Sequence, residues 1–211
     1  MLLVSEIFHS IQGESTRVGL PTVFVRLTGC PLRCTWCDSE YAFSGGESQT
    51  VAQVLAQVAA FNCRRVCVTG GEPLAQKDCP QLLTVLCEAG YDVSLETSGA
   101  QDIAPVDDRV SRIMDIKPPD SGEVGANLWG NLQHLNARDE IKFVLASEAD
   151  YLWAKDVLQT HHLADLCLVL FSPVDGRLEP VQLAEWILRD RLPVRFQWQL
   201  HKLLWGPQRG R

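Results

Sequence analysis

Short apolar runs alternate with segments of helical periodicity along most of the chain. Apolar runs bounded by Gly, Pro or Asp predict strands, and apolar residues at spacings of three and four predict helices. A helix is predicted over 51–61, with Thr50 as its N-cap. The predicted strands are 22–27, 65–68, 92–95, 112–116, 140–145, 166–171 and 194–198, and the other predicted helices are 80–89, 148–159 and 181–189. Irregular loops are predicted at 102–108 and 118–133, which are rich in Pro, Gly and Asp.

This alternation predicts an α/β fold. Strands that alternate with helices are typical of parallel β-α units, whose functional loops lie at the carboxyl ends of the strands. A complete eightfold barrel usually takes about 250 residues, and this chain has 211. We therefore expect a partial, open parallel β/α barrel of about six units, forming a single domain over residues 1–211.

Polar or glycine-rich segments follow five of the predicted strands. Because the carboxyl ends of parallel strands share one edge of a sheet, these segments are expected to converge on one site. They are the cysteine-rich loop after 22–27, Gly70–Pro73, Glu96–Gly99, Asp115–Pro118 and Ser172–Pro173.

Charge and composition exclude several classes of function. The formal net charge is -7, from 19 basic and 26 acidic residues, and no basic block occurs, which argues against a surface that coats nucleic acid. No apolar run approaches membrane-spanning length, and the N-terminus lacks the pattern of a leader peptide. Five scattered cysteines are expected to be reduced thiols: Cys63, Cys67, Cys79, Cys87 and Cys167. We therefore expect a cytoplasmic protein with no nucleic-acid or membrane partner.

Cys30, Cys34 and Cys37 form a C-x3-C-x2-C run. Three thiolates on one loop suit a [4Fe–4S] cluster, and three ligands for four irons leave one iron open to bind a small molecule. Two alternatives remain at this stage. A zinc site would need a distant fourth ligand such as His9, and a redox disulfide between Cys34 and Cys37 would leave Cys30 unexplained.

Together with Gly70-Gly-Glu-Pro73, the cysteine run resembles the radical S-adenosylmethionine (SAM) superfamily. The resemblance implies that Cys30, Cys34 and Cys37 hold a [4Fe–4S] cluster, and that SAM binds its open iron and is cleaved to a radical. It also implies that the Gly-Gly-Glu-Pro turn holds the amino group of SAM. Glycine suits that role because only glycine lets backbone approach a ligand so closely.

Four further segments are similar to the 7-carboxy-7-deazaguanine synthase family, and the match runs nearly end to end. They are Ile11–Glu14, Phe24–Cys30, Glu96–Gly99 and Leu200–Gly206. The resemblance implies a carbon–nitrogen lyase that contracts the ring of 6-carboxy-5,6,7,8-tetrahydropterin with loss of ammonia, in the biosynthesis of queuosine and other 7-deazapurines. It also implies Mg²⁺, an external flavodoxin-like or ferredoxin-like electron donor, and a homodimer.

The resemblance also assigns roles to single residues. Pterin contacts are implied for Ile11, Gln12, Gly13, Glu14, Arg26 and Thr97. SAM contacts are implied for Trp36, Cys37, Asp38, Gly70, Gly71, Glu72, Pro73, Gly99, Asp115, Ile116, Lys117 and Ser172. Ser39 takes the position of the Mg²⁺-ligating hydroxyl, which is commonly threonine, and Glu14 and Lys117 are candidates for proton transfer. Asp115 and Ser172 depart from the common serine and glutamine, which leaves their contacts to SAM open.

Two other functions remain to be weighed. A glycyl-radical activating enzyme would share the SAM chemistry but would lack the pairing of Gln-Gly-Glu with a substrate arginine. A non-catalytic zinc or iron–sulfur module would have no need for the Gly-Gly-Glu-Pro and Thr97–Gly99 segments to converge with the cysteines.

Overall fold

The computed structural model describes residues 1–206 and 208–210 and consists of strands and helices around one sheet. The strands are β1 (Leu2–Ile11), β2 (Pro21–Leu27), β3 (Glu47–Gln49), β4 (Arg65–Gly70), β5 (Asp92–Thr97), β6 (Ser111–Asp115), β7 (Glu140–Leu145), β8 (Leu168–Pro173) and β9 (Arg195–Phe196). The helices are α1 (Val51–Ala60), α2 (Cys79–Glu88), α3 (Glu148–Thr160), α4 (Leu163–Leu166), α5 (Pro180–Asp190) and α6 (Leu200–Trp205).

The sheet is open, with strand order β3-β1-β2-β4-β5-β6-β7-β8-β9. Neighbouring strands from β2 to β9 are parallel, whereas β1 is antiparallel to both β2 and β3. The expected α/β class and partial-barrel architecture are confirmed. The antiparallel edge was not predicted.

Period-two alternation along the strands gives the sheet one hydrophobic face and one polar face. In β7, Ile141, Phe143 and Leu145 belong to the hydrophobic core beneath the helices, while Lys142 and Val144 line a cavity on the opposite face. Helices α1, α2, α3 and α5 contact the core face of the sheet. The helices therefore leave the other face of the sheet free for polar groups.

Several local predictions need correction. Strand β1 was missed because its register shifts between Val4 and Glu6, which breaks the alternation that identifies a strand. Strand β9 covers only Arg195–Phe196 of the predicted 194–198, and the predicted loop 118–133 contains three 3₁₀ turns. The predicted Thr50 cap is confirmed: its hydroxyl accepts from the backbone N–H of Gln53, whose side chain accepts in return from the N–H of Thr50.

Within the part of the chain that the structure describes, no helix has both the length and the apolar character needed to cross a membrane.

Candidate active site

A cavity of about 520 Å³ lies at the polar face of the sheet. Most residues that the sequence marks as functional line it: Ile11, Gln12, Gly13, Glu14, Arg26, Cys30, Cys34, Trp36, Cys37, Asp38, Ser39, Gly70, Gly71, Thr97, Asp115 and Lys117. They come from loops and strand ends far apart in sequence. The structure thus brings together the cysteine loop, the N-terminal Gln-Gly-Glu segment and the ends of β4 to β6.

The cysteine loop is held from two sides. The backbone N–H of Thr35 donates to the carbonyl of Ser121 at 3.0 Å, and the guanidinium of Arg177 donates to the Thr35 carbonyl, also at 3.0 Å. Arg177 additionally lies over the ring of Trp36, 5.5 Å from its centroid. These contacts tie the loop after β2 to the loops that follow β6 and β8.

Cys30, Cys34 and Cys37 are free thiols, partly exposed on the cavity wall. Burial is the main influence on all three, and it raises the pKa of each thiol above its ordinary value. Among residues 1–206 and 208–210, no three His, Cys, Asp or Glu side chains are grouped as ligands of one metal ion.

The two glycines at the end of β4 pack directly against the end of β2 and the start of the cysteine loop. Gly70 has φ +151°, and a Cβ at this position would lie 2.1 Å from the carbonyl oxygen of Leu27. A Cβ on Gly71 would lie 2.3 Å from the carbonyl oxygen of Gly29. Any side chain here would therefore push the loop away from the strand.

Five residues predicted to contact SAM are not among those that line the cavity: Glu72, Pro73, Gly99, Ile116 and Ser172. The Glu72 side chain is fully buried and accepts hydrogen bonds from the Thr97 hydroxyl at 2.9 Å and the Ser98 N–H at 2.6 Å. It braces two loops against each other, and its contact to SAM stays a prediction. Ile116 packs in the hydrophobic core, which accounts for its absence from the lining.

The three others lie elsewhere. Pro73 is buried at the start of a 3₁₀ turn, and Gly99 has φ +71° and lies beside Met114. The hydroxyl of Ser172 is buried on β8, with no hydrogen-bond partner among the described residues.

A chain of alternating charges crosses the cavity floor. The Lys117 ammonium lies 3.0 Å from the Asp115 carboxylate, and the Lys142 ammonium lies 3.6 Å from the same carboxylate. Lys142 also donates to Glu14 Oε2 at 2.6 Å, and the Gln199 amide donates to Glu14 Oε1 at 2.6 Å. This series of charged side chains therefore connects the Gln-Gly-Glu segment to the loop after β6.

These contacts set the charge of the buried groups. Burial opposes ionisation of Glu14, but the Lys142 ammonium and hydrogen bonds from Lys142 and Gln199 outweigh it and hold the Glu14 pKa below its ordinary value. Burial likewise opposes the charged form of Lys142, yet Glu14, Asp115 and Glu96 raise the Lys142 pKa well above its ordinary value. Glu14 is therefore an anion and Lys142 a cation at neutral pH.

Arg26 lines the cavity from β2. Its Nε donates to Glu6 at 2.8 Å, and its guanidinium lies between the rings of Phe8 and Tyr41, 5.7 Å from each centroid. Because the contact with Glu6 uses Nε, it leaves the two terminal nitrogens of the guanidinium available for another partner.

The C-terminal segment lies against the N-terminal one. The backbone N–H of Leu200 donates to the Gly13 carbonyl at 2.9 Å, and a Cβ on Gly13 would lie 2.1 Å from Nδ1 of His201. Lys202 pairs with Asp38 at 3.1 Å, while Asp38 accepts from the hydroxyl of Ser39 at 2.9 Å. Helix α6 thus forms one wall of the cavity.

Comparison with known proteins identifies the family. A model described as the radical SAM superfamily matches residues 24–121. The chain is 50% identical to 7-carboxy-7-deazaguanine synthase of Chlorobaculum tepidum, with 98% of this chain and 95% of that one covered. It is 41% identical to the synthase of Koribacter versatilis, with 97% of each chain covered. The chain belongs to the 7-carboxy-7-deazaguanine synthase family.

The fold agrees with that membership. The crystal structure of QueE from Escherichia coli superposes with a TM-score of 0.78 at 23% identity, covering 95% of this chain and 94% of that chain. Membership of the radical SAM superfamily implies a [4Fe–4S] cluster and SAM. It favours the cluster over the zinc and disulfide alternatives. The three thiols on one loop at the cavity wall fit that cluster as a ligand set.

Sequence reasoning missed four residues that shape the site of this synthase family member: Lys142, Arg177, Gln199 and Lys202. For Lys142 a signal existed, because it alternates with Ile141 and Phe143 in a strand and must face away from the helices. Arg177 and Gln199 lie in loops and Lys202 in the six-residue helix α6, where no periodicity long enough to read indicates the direction of a side chain.

Proposed function

We propose that this protein converts 6-carboxy-5,6,7,8-tetrahydropterin to 7-carboxy-7-deazaguanine, with ammonia as the leaving group. The observation that carries the proposal is the single cavity shared by the cysteine loop and the Glu14, Gln12 and Arg26 side chains. The reported names of relatives covered nearly end to end support the same reaction. The product differs from the substrate by one molecule of ammonia, so the reaction needs no net oxidant.

The chain's own residues would bind and orient the pterin. Arg26 offers two terminal nitrogens to the substrate carboxylate, a pairing for which a planar guanidinium is well suited. Glu14 is held as an anion, and its lone pairs not used by Lys142 and Gln199 would accept N–H groups of the pterin. The Gln12 side chain lies next to Glu14 and offers both a donor and an acceptor.

The cofactors would occupy the other end of the cavity. Cys30, Cys34 and Cys37 would hold the cluster, and the Gly70–Gly71 backbone and Lys117 would lie beside SAM. When bound, the cluster and SAM supply the radical that abstracts hydrogen from the substrate. Ser39 would ligate Mg²⁺ only together with a substrate carboxylate and water, because one hydroxyl cannot fill an octahedron.

Three wider features belong to the same proposal. The protein would act as a homodimer in the cytoplasm, and it would accept electrons from a flavodoxin-like or ferredoxin-like donor. Glu14 and Lys117 remain the candidates for proton transfer, since both line the cavity and carry charge at neutral pH.

An anaerobic assay tests the proposed function. The protein with its cluster reconstituted is supplied with SAM, Mg²⁺, dithionite and the carboxylated tetrahydropterin, and 7-carboxy-7-deazaguanine is measured by mass spectrometry. We expect many turnovers with no matching accumulation of 5′-deoxyadenosine, and no product from Cys34→Ser. SAM cleavage without formation of the deazapurine would contradict the proposed substrate. A cluster-loaded enzyme that cleaves no SAM would contradict the proposed radical SAM reaction.

A further inference from the structure

Lys142 belongs to no motif in the sequence, yet it occupies the centre of the buried charge chain. It lies in β7 with a side chain only 10% exposed, and its ammonium lies between the carboxylates of Glu14 and Asp115. A buried ammonium is costly unless it is paired, so its retention here requires both partners.

The geometry of the pair restricts Glu14 closely. One carboxylate oxygen accepts from Lys142 and the other from Gln199, both at 2.6 Å, so neither oxygen can rotate away. Glu14 itself lies in the segment between β1 and β2, outside any strand or helix. The position of its carboxylate therefore depends on donors from β7 and from the C-terminal segment.

The charges around Glu14 show what Lys142 alone contributes. Lys142 faces it from β7, His201 from α6 and Gln199 from the segment before α6, while the carboxylates of Asp115 on β6 and Glu96 on β5 also attract the Lys142 ammonium. Without Lys142, burial would favour a protonated Glu14, and the Gln199 hydrogen bond and His201 would have to oppose it. A protonated carboxyl would offer the pterin fewer acceptor sites.

We propose that Lys142 is a positioning residue for the pterin, acting through Glu14 by fixing the charge and the orientation of its carboxylate. The inference rests on the proposed function, because it takes the pterin as the ligand of Glu14. The proposal assigns Lys142 no contact with the pterin itself.

Equilibrium binding separates this role from catalysis. The loaded enzyme with SAM, anaerobic and without reductant, is titrated with the carboxylated tetrahydropterin across pH 6 to pH 9. For Lys142→Met we expect binding at pH 7 to weaken by roughly tenfold to a hundredfold, as for the loss of one hydrogen bond to a charged group. The deficit relative to wild type should shrink as pH rises, because Glu14 then ionises without its partner.

Two comparisons sharpen the result. Lys142→Arg keeps the positive charge and should keep a deficit that does not change with pH. Lys155→Met removes a lysine that pairs with Asp190 on the helix side of the molecule, and it should bind the pterin like wild type. Equal pterin binding by Lys142→Met and wild type would overturn the proposal, as would a deficit in Lys142→Met that is the same at every pH.

A double-mutant cycle with Glu14→Gln tests whether Lys142 acts through Glu14. If it does, Lys142→Met should add little to the loss that Glu14→Gln already causes, and full additivity of the two losses would overturn the proposal. Should Lys142→Met not fold, Lys142→Arg decides: a deficit in Lys142→Arg that shrinks with rising pH would contradict the proposal. Failure of the proposed function is distinguishable, since the wild type itself would then bind no pterin.

Discussion

Four donors converge on the carboxylate of Glu72, which is completely buried at the end of β4. They are the hydroxyl of Thr97, the N–H and hydroxyl of Ser98, and the N–H of Leu74. A carboxylate that accepts this many hydrogen bonds holds the loop after β5 against the loop after β4. Both loops line or approach the cavity, so the brace fixes the shape of the cofactor end.

At this position we expect Glu72→Gln to lower the free energy of unfolding by about 2–3 kcal/mol. The side-chain NH2 group of glutamine would face the hydrogen-bond donors of Thr97 and Ser98, which would then lack an acceptor. Urea unfolding of the variant and wild type measures the change. Glu185→Gln on the exposed face of α5 is the matched control and should leave stability unchanged. A Glu72→Gln variant with wild-type stability but lost SAM affinity would contradict this structural role and favour the direct SAM contact predicted from sequence.

Residue-level prediction named the cysteine run and Gly70-Gly71, which line the cavity, because chemistry and spacing coincide there. It named Glu72 but not the hydrogen bonds that its side chain accepts from Thr97 and Ser98, because a motif gives the residue type but not which way a buried carboxylate turns. It missed Lys142 because a single lysine in an apolar strand resembles a surface residue until the opposite face of the sheet is known to be enclosed.

Helix α6 shows how an element with no buried residue of its own can still complete a site. It docks through backbone and polar contacts on the Gly13 segment, where the absence of a side chain creates the space that His201 fills. Its sequence is short and lies past the last predicted strand. Periodicity over six residues is too brief to predict either its existence or its docking.

For this docking we expect Gly13→Ala to force His201 or the whole of α6 outward. Overpacking of this kind costs about 1–3 kcal/mol, and the pterin should bind more weakly because Gln199 moves with the helix. Gly125→Ala is the matched control, since a Cβ there has no heavy atom within 4 Å outside its chain neighbours. Urea unfolding and pterin titration check both variants, and an unchanged Gly13→Ala protein would show that α6 does not rest on Gly13.

In the molecule as a whole, the hydrophobic core comes mainly from the middle of the chain, and part of the cavity wall comes from its two ends. The central strands and their helices supply the hydrophobic core, while the segment after β1 and the segment before α6 enclose the end of the cavity that is proposed to bind the pterin. Length and alternation were enough to predict an open parallel sheet. They were not enough to predict that the two ends meet, because contacts across the whole sequence leave no local pattern.

Removal of residues 199–211 should therefore separate folding from substrate binding. We expect the truncated chain to keep its secondary structure and its SAM affinity, and to lose measurable pterin binding with the Gln199–Glu14 and Leu200–Gly13 hydrogen bonds. Circular dichroism and the two ligand titrations measure these three properties. If the truncated chain still bound the pterin, the C-terminal segment would have no part in pterin binding.

The hydrogen bond between Gln199 and Glu14 joins residues 185 positions apart. During translation the N-terminal half of a chain emerges and begins to fold first. Glu14 therefore leaves the ribosome long before the residue that orients its second oxygen. The end of the cavity proposed to bind the pterin is incomplete until Gln199 has also emerged, so a nascent or truncated product that lacks Gln199 can form the core without gaining the proposed substrate site.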